Sequence, residues 1–336
     1  MTLKSILFFA GTVWFLAACT HDPLDVDASD VTVELGFCNV DSMFVHGTES
    51  DLLKAHHEFK SSITDMYDLE MGRFLRVGDL PDSLVFSTID TFRNDPYISR
   101  LEKRIQEKFA STETIKVKLI DGFKHLKFHV SDTKLPTNVV FLNTLFNASA
   151  PATENEIGVG LERYLGAETD VIKELTGSEF HQWMKEAWRR EFLERDVLTS
   201  WIVANVIEEQ NGGSLAENIV YWGKVLYFVE ACFPEDDHRL IVRYSQDDFD
   251  WAVENEASYW KYLVDQNLLF KIDEKTKMNM LKDGPFTPGL PKKGPDRLGQ
   301  FLGWRMVGQF MKENDISLKE LLEVEYNEIL QNFEIE

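Results

Sequence analysis

The histidines offer the first test for metal chemistry. His125 and His129 stand four residues apart in a stretch with helical spacing, a step that puts both imidazoles on one helix face. A zinc hydrolase also needs a carboxylate beside the first histidine to deprotonate the metal-bound water, which is what the HExxH pattern supplies. Position 126 is Leu, so this pair lacks its base. His56 with Glu58 fails differently, because positions 60 and 61, where a second ligand should stand, are Lys and Ser. No GxSxG elbow, phosphate-binding glycine loop, CxxC pair or dinucleotide fingerprint occurs, so hydrolase, nucleotide and redox chemistry lack their usual residues. No metal and no cofactor are expected.

The remaining candidates are carboxylates with aromatic neighbours. Glu154, Glu156 and Glu162 cluster around two strand-like runs, and Trp251, Glu254, Asn255, Glu256 and Trp260 fall on one later helical stretch. Glu254 and Glu256 are two residues apart and do not share a helix face, so they are not a simple acid/base dyad. Trp251 with Glu254, and Glu256 with Trp260, do share faces, the aromatic-plus-carboxylate edge that a groove receiving a partner would use. Arg297 and Arg305 are expected to reach neighbouring carboxylates. A glycan hydrolase built on Glu154, Glu162 or Glu254 is the enzymatic alternative, and it would need two of them at a suitable separation.

Elements that would position these groups can be read from periodicity. Val31, Val33, Leu35 and Phe37 alternate as in a half-buried strand. Residues 50–68, 96–109 and 111–129 carry helical stripes, for example Leu52, His56, Phe59 and Ile63 in the first. The run LPTNVVFLNT reads as a buried strand, and EIGVGLERYL as its neighbour across the loop NASAPATEN. Residues 196–209 and 219–230 are apolar around more than one face and should be adjacent interior helices. Ser245 caps a helix through 247–268, while Ser317 with Glu320 forms a capping box with Ile316 and Leu321 as its staple. The glycines and prolines of 283–297 exclude regular structure there. Gly158 and Gly160, like Gly299, Gly303 and Gly308, read as points of close backbone packing.

The chain has 336 residues, 44% of them apolar, which predicts a packed globule rather than a disordered one. Its net charge of −22 repels nucleic acid and anionic headgroups, so neither is an expected partner. Lys4 followed by an apolar stretch to Ala18 reads as an export signal, too short and too poorly flanked for a resident membrane helix. Leu16-Ala17-Ala18-Cys19 resembles the lipobox of bacterial lipoproteins, which implies a diacylglyceryl group on the Cys19 thiol and acylation, for instance by palmitate, of the new amino terminus. Residues 1–18 are then the signal peptide, 19–30 the lipidated cysteine and a short acidic tether, and 31–336 one α+β domain, mostly helical, with a small sheet in its first half. Cys38 and Cys232 are read as separate buried thiols rather than a bridge.

The runs Gly223-Lys224-Val225-Leu226-Tyr227, Trp251-Ala252-Val253-Glu254-Asn255-Glu256, Gly294-Pro295-Asp296-Arg297-Leu298-Gly299 and Leu302-Gly303-Trp304-Arg305-Met306-Val307, together with the lipobox, resemble the gliding motility-associated lipoprotein GldB family of Bacteroidota. The likeness spans nearly the whole mature chain and is densest from about 190 to 322. It implies an envelope protein associated with gliding motility, anchored to the outer membrane through lipid, with its folded part in the periplasm and envelope or motility proteins as partners. The family is itself distantly similar to gluzincin metallopeptidases, which implies a zincin-like scaffold with the metal helix at 196–209 and the third-ligand helix at 219–230. The first of these reads LTSWIVANVI in its core and has no histidine, so a pseudoenzyme is implied rather than an active peptidase. A divergent metallopeptidase, and a carrier with an aromatic pocket, are the other readings. Oligomeric state is left open.

Overall fold

Three short strands, β1 (Gly36–Asn39), β2 (Asn138–Leu142) and β3 (Glu156–Gly160), pair in that order, and both pairings are parallel. Phe37 lies opposite Val139, and Val140 opposite Gly158. The computed structural model describes residues 23–335 except 178, 209, 211 and 292. Because strand side chains alternate, β2 feeds two cores: Val139 and Phe141 enter the main one, whereas Val140 and Leu142 enter a smaller N-terminal one. A parallel sheet buried on both faces needs such unbroken apolar strands, and NVVFL is one.

The smaller core lies under α1 (Val40–His46), α2 (Glu49–Ser62), α3 (Thr64–Leu69) with a π-helical turn after it, and α4 (Asp82–Arg93). The main core takes α5 (Pro96–Lys108) and α6 (Glu113–His129). β2 and β3 are joined without a helix. Their connection folds back along β3, where the Gly158 N–H donates to the Pro151 carbonyl at 2.7 Å and the Gly160 N–H to Ser149 at 2.9 Å. Gly160 is required by that approach, since a Cβ there would stand 2.7 Å from the Ala148 carbonyl oxygen, and a Cβ at Gly158 would meet the Pro151 ring at 2.8 Å.

Beyond the sheet, two short helices, α7 (Asp170–Lys173) and α8 (Gln182–Glu186), lead to α9 (Leu193–Asn205) and α10 (Leu215–Cys232). These last two are interior neighbours, as their all-round apolarity requires, and α10 begins with a capping box in which Ser214 accepts from the Glu217 N–H. Around them lie α11 (His238–Ile241), α12 (Gln246–Glu254), α13 (Glu256–Asp265), α14 (Glu274–Leu281), α15 (Leu298–Glu313), α16 (Leu318–Glu323) and α17 (Tyr326–Gln331). α10 and α15 make the most extensive helix pair and cross where Gly223 meets Gly303.

Several sequence expectations need adjustment. The helix read over 50–68 breaks at Ile63 and the one over 247–268 at Asn255, both with non-helical backbone (φ −136°, ψ 46° and φ −110°, ψ 9°). Apolar spacing continues through each break because the two halves pack on the same core, so periodicity alone does not reveal it. The alternation from Val31 becomes a paired strand only at Gly36. The capping box at Ser317 is present, but α17 follows it. Leu24 and Ala28, in the stretch read as tether, are buried, Leu24 in the main core. Cys38 and Cys232 are both free thiols. Among the described residues no helix is long and apolar enough to cross a membrane. Cys19 lies outside the described residues.

Candidate functional site

α9 starts with consecutive charged residues, Glu194, Arg195 and Asp196, all buried. Charges in that position persist only when paired and hydrogen-bonded. Asp196 meets the requirement: its carboxylate accepts from the Tyr164 hydroxyl at 3.1 Å, from Arg195 at 3.1 Å and from the Arg243 Nε at 3.2 Å. Arg195 also donates to the Ile241 carbonyl at 2.8 Å, and burial depresses its guanidinium to about 10.

Arg297 completes the arrangement from the loop before α15. It pairs with Asp296 and Asp283, each at 3.0 Å, and donates to the Arg243 carbonyl at 3.1 Å. Burial opposes its charge, but Asp296 and Asp283 outweigh that and hold its proton above the ordinary arginine range. Asp283, exposed on its loop, is held below the usual carboxylate range: its desolvation is overcome by Arg297, Arg243, Arg195 and Arg163 together.

Arg163 approaches from the turn after β3. It donates to the Phe146 carbonyl at 2.8 Å and lies over the Trp188 ring, with its charged carbon 5.0 Å from the ring centre. The loop that presents Phe146 is organised by Glu162, whose carboxylate accepts from the Thr144 N–H at 3.0 Å and the Phe146 N–H at 3.1 Å.

Backbone strain concentrates here. Among the described residues six non-glycine positions have left-handed φ, and four of them, Leu145, Phe146, Arg243 and Arg297, belong to this arginine cluster or the loop that holds it. Such conformations cost roughly 1–3 kcal/mol each and persist only where the surroundings enforce them. The four guanidiniums line a cavity of about 370 Å³. It opens between α9, α10 and the loop after α14, with Trp222, Met278 and Leu281 on its apolar wall. α9 and α10 pack against each other, with Leu198, Ile202 and Val220 in the shared main core, and a polar cleft opens beside them.

The residues singled out in the sequence are not gathered into one site. Glu154 is exposed and paired with Lys134 at 2.8 Å, Glu156 is buried and holds the Thr153 hydroxyl at 2.8 Å, and Glu162 is inside, structuring the loop beneath Arg163. Glu254, Glu256 and Arg305 line one surface groove, where Arg305 pairs with Glu256 at 3.1 Å and Phe333 forms part of the wall. Trp260 packs edge-on against that Phe333, with ring centres 5.4 Å apart. Trp251 lies elsewhere, against Gly294, and Asn255 donates back to the Trp251 carbonyl at 2.8 Å as α12 ends. Arg297 belongs to the arginine cleft. Sequence reasoning missed Arg163, Arg195, Asp196 and Arg243. The one available signal was the charged LERD run leading into an otherwise apolar helix.

The His125 Nδ1–H donates to the Asp121 carbonyl at 3.0 Å, while His129 is half-buried with no hydrogen bond at Nε2 among the described residues, and burial lowers its imidazole to about 4. A separate group of carboxylates, Asp41, Glu70, Glu102 and Glu162, is buried near the sheet, and desolvation pushes all four up, Glu102 to about 7. Among the described residues no three His, Cys, Asp or Glu side chains converge closely enough to hold a metal ion. Among the described residues, therefore, no feature supports a zincin-like scaffold in particular.

The chain thus has a mostly helical fold with a small parallel sheet, with an arginine-lined cleft and no set of metal donors among its described residues. It matches the family described as Gliding motility protein GldB over residues 21–334 and belongs to that family. No curated protein and no solved structure matches it.

Proposed function

We propose that this chain is a non-catalytic, lipid-anchored protein of the cell envelope that acts by binding other envelope or motility components. Lipid on Cys19 would hold it at the outer membrane, with the folded part in the periplasm. Family membership is the observation that carries this reading, and the lipobox-like Leu16-Ala17-Ala18-Cys19 supports the anchor. The cleft beside α9 supports the non-catalytic half. Its buried aspartate, Asp196, is held between arginines rather than set beside a nucleophile, an arrangement suited to recognition. The carboxylates considered for glycan hydrolysis stand apart in role and place: Glu154 in a surface ion pair, Glu162 in the interior, Glu254 on the α12 groove.

In-cell cross-linking followed by mass spectrometry tests the binding role. Reproducible envelope-protein neighbours are expected, and a cross-link set no different from that of an unrelated periplasmic protein would count against it. Metabolic labelling with a clickable fatty acid tests the anchor. Wild type should take the label and Cys19→Ala should not; undiminished label on the variant would sink that part.

A further inference from the structure

The arginine cleft has more positive charge than its own aspartates neutralise. Arg163, Arg195, Arg243 and Arg297 converge on it, joined at the mouth by Lys277 and Lys282, whereas the acids that line it or pair with these arginines are Asp196, Glu274, Asp283 and Asp296. This surplus stands out in a chain of net charge −22, where the general field repels anions. Lys277 is already engaged by Glu274 at 2.6 Å, and Asp196 is shared between Arg195 and Arg243. Lys282, by contrast, is exposed at the rim.

Two details say what the surplus faces. The Arg163 Nε is buried and, among the described residues, has no hydrogen-bond acceptor, an arrangement that is costly unless something compensates. Asp283 reaches the group from an exposed loop; its carboxylate lies 3.0 Å from the Arg297 Nε and feels all four guanidiniums. Asp283 therefore occupies one oxyanion position from its own exposed loop, while Arg163, held by the Phe146 carbonyl, has no acid at ion-pair distance among the described residues. One further carboxylate would only duplicate it. A group with three or more oxygens and about two negative charges fits the remaining donors better, because guanidinium forks engage phosphate oxygens in pairs. The cavity, about 370 Å³, is large enough for a phosphorylated small molecule or headgroup, and Trp222 with Met278 offers an apolar wall to what the phosphate is attached to.

We propose that the cleft between α9, α10 and the loop after α14 is a receptor for a phosphate-bearing ligand, with Arg163 and Lys282 as binding residues and Asp283 as a built-in competitor for the same guanidiniums. This goes beyond the envelope role proposed above and does not depend on it. The ligand's phosphate would come either from a soluble phosphomonoester or from a phospholipid headgroup.

Calorimetry on the full-length chain in detergent distinguishes the outcomes, with inorganic phosphate, pyrophosphate, glycerol 3-phosphate, dihexanoyl phosphatidic acid and succinate as probes. Saturable binding of at least one phosphate probe is expected, weakened about tenfold or more by Arg163→Gln. Asp283→Asn should tighten it at least about threefold by removing the competing charge. Lys282→Gln, at an exposed position that leaves folding untouched, should weaken it about twofold to threefold and serves if Arg163→Gln disturbs the loop around Phe146. Glycerol 3-phosphate binding as well as dihexanoyl phosphatidic acid identifies a soluble source, and preference for the latter a lipid headgroup; both uphold the site. No binding of any phosphate probe by wild type and Asp283→Asn would overturn it. So would succinate binding more tightly than every phosphate probe, or affinities indifferent to both Arg163→Gln and Lys282→Gln.

Discussion

Replacing Gly303 by alanine would separate the two helices that carry the centre of the domain. At the α10–α15 crossing a Cβ on Gly303 would lie 2.0 Å from the Ile219 carbonyl oxygen and 3.0 Å from the Gly223 nitrogen. Both obstacles are backbone, so no side-chain rotation relieves them. Real Cβ contacts do not fall below 3.0 Å, and the helices must therefore part by roughly 1 Å. A gap of 0.5–1 Å forfeits about a quarter to a half of each dispersion contact across it. The contacts at risk include Ile219, Val220, Phe301, Leu302 and Val307, all buried. Overpacking of this sort costs about 1–3 kcal/mol, and a contact limited by two backbones belongs at the upper end. Alanine returns up to about 1 kcal/mol through helix propensity, leaving a net loss of about 2 kcal/mol. Gly308 supplies the control. It lies on the same helix, and the nearest atom to a Cβ there is Tyr227 Cε2 at 4.0 Å, so Gly308→Ala should gain up to about 1 kcal/mol. Urea unfolding followed by tryptophan fluorescence gives both values, provided the slopes match that of wild type. Changes of opposite sign are expected. A Gly303→Ala midpoint at or above wild type would refute the argument that backbone contact fixes this crossing.

Further outcomes follow from other parts of the fold. Glu102, raised to about 7 chiefly by burial, binds its proton more tightly in the folded chain. The stability it contributes is full below the ordinary glutamate range and is lost as pH rises to about 7, so urea midpoints at pH 5, 6, 7 and 8 should fall less in Glu102→Gln than in wild type; parallel curves would contradict the burial. His129 has the opposite sign. Its imidazole, lowered to about 4, contributes stability above the ordinary histidine range that disappears as pH drops toward 4, and His129→Gln should reduce this acid-side loss in the same titration. At the start of α10, Ser214→Ala should cost about 1 kcal/mol and Ser214→Gly only a few tenths, because a serine side chain accepts from Glu217 there and glycine tolerates the cap backbone; equal losses in the two unfolding curves would argue against the capping box. Burial pushes the Cys38 thiol up to about 11 and that of Cys232 further still, so both should resist a maleimide in the native chain and react once it is denatured without reductant. Failure to gain two reactive thiols on denaturation would point to a bridge.

The sequence determined the features that depend on neighbours along the chain. Capping at Ser245 and Ser317, the helices at α5 and α6, and the all-round apolarity of α9 and α10 follow from local spacing and side-chain hydrogen bonding, and each is present. The small glycines at 158, 160 and 303 were legible as close-approach points, although which backbone approaches each was not. α4 carried a weaker signal, since Val85 and Ile89 alone mark its buried side and its remaining positions are mixed.

Only the tertiary structure decided where the charges meet. Glu162 and Glu156 look like surface acids in a sequence because carboxylates usually are, yet the loop that doubles back along β3 brings donors from Thr144, Phe146 and Thr153 to them and makes burial affordable. The cleft is assembled from residues 163, 195, 243, 283 and 297, which no periodicity connects. Its two left-handed arginines, at 243 and 297, are conformations that local preference disfavours and that the paired aspartates around them enforce. Local rules register propensity and apolar spacing, because those act within a few residues. A charged cluster arises from long-range pairing whose balance is struck only when distant segments are packed together.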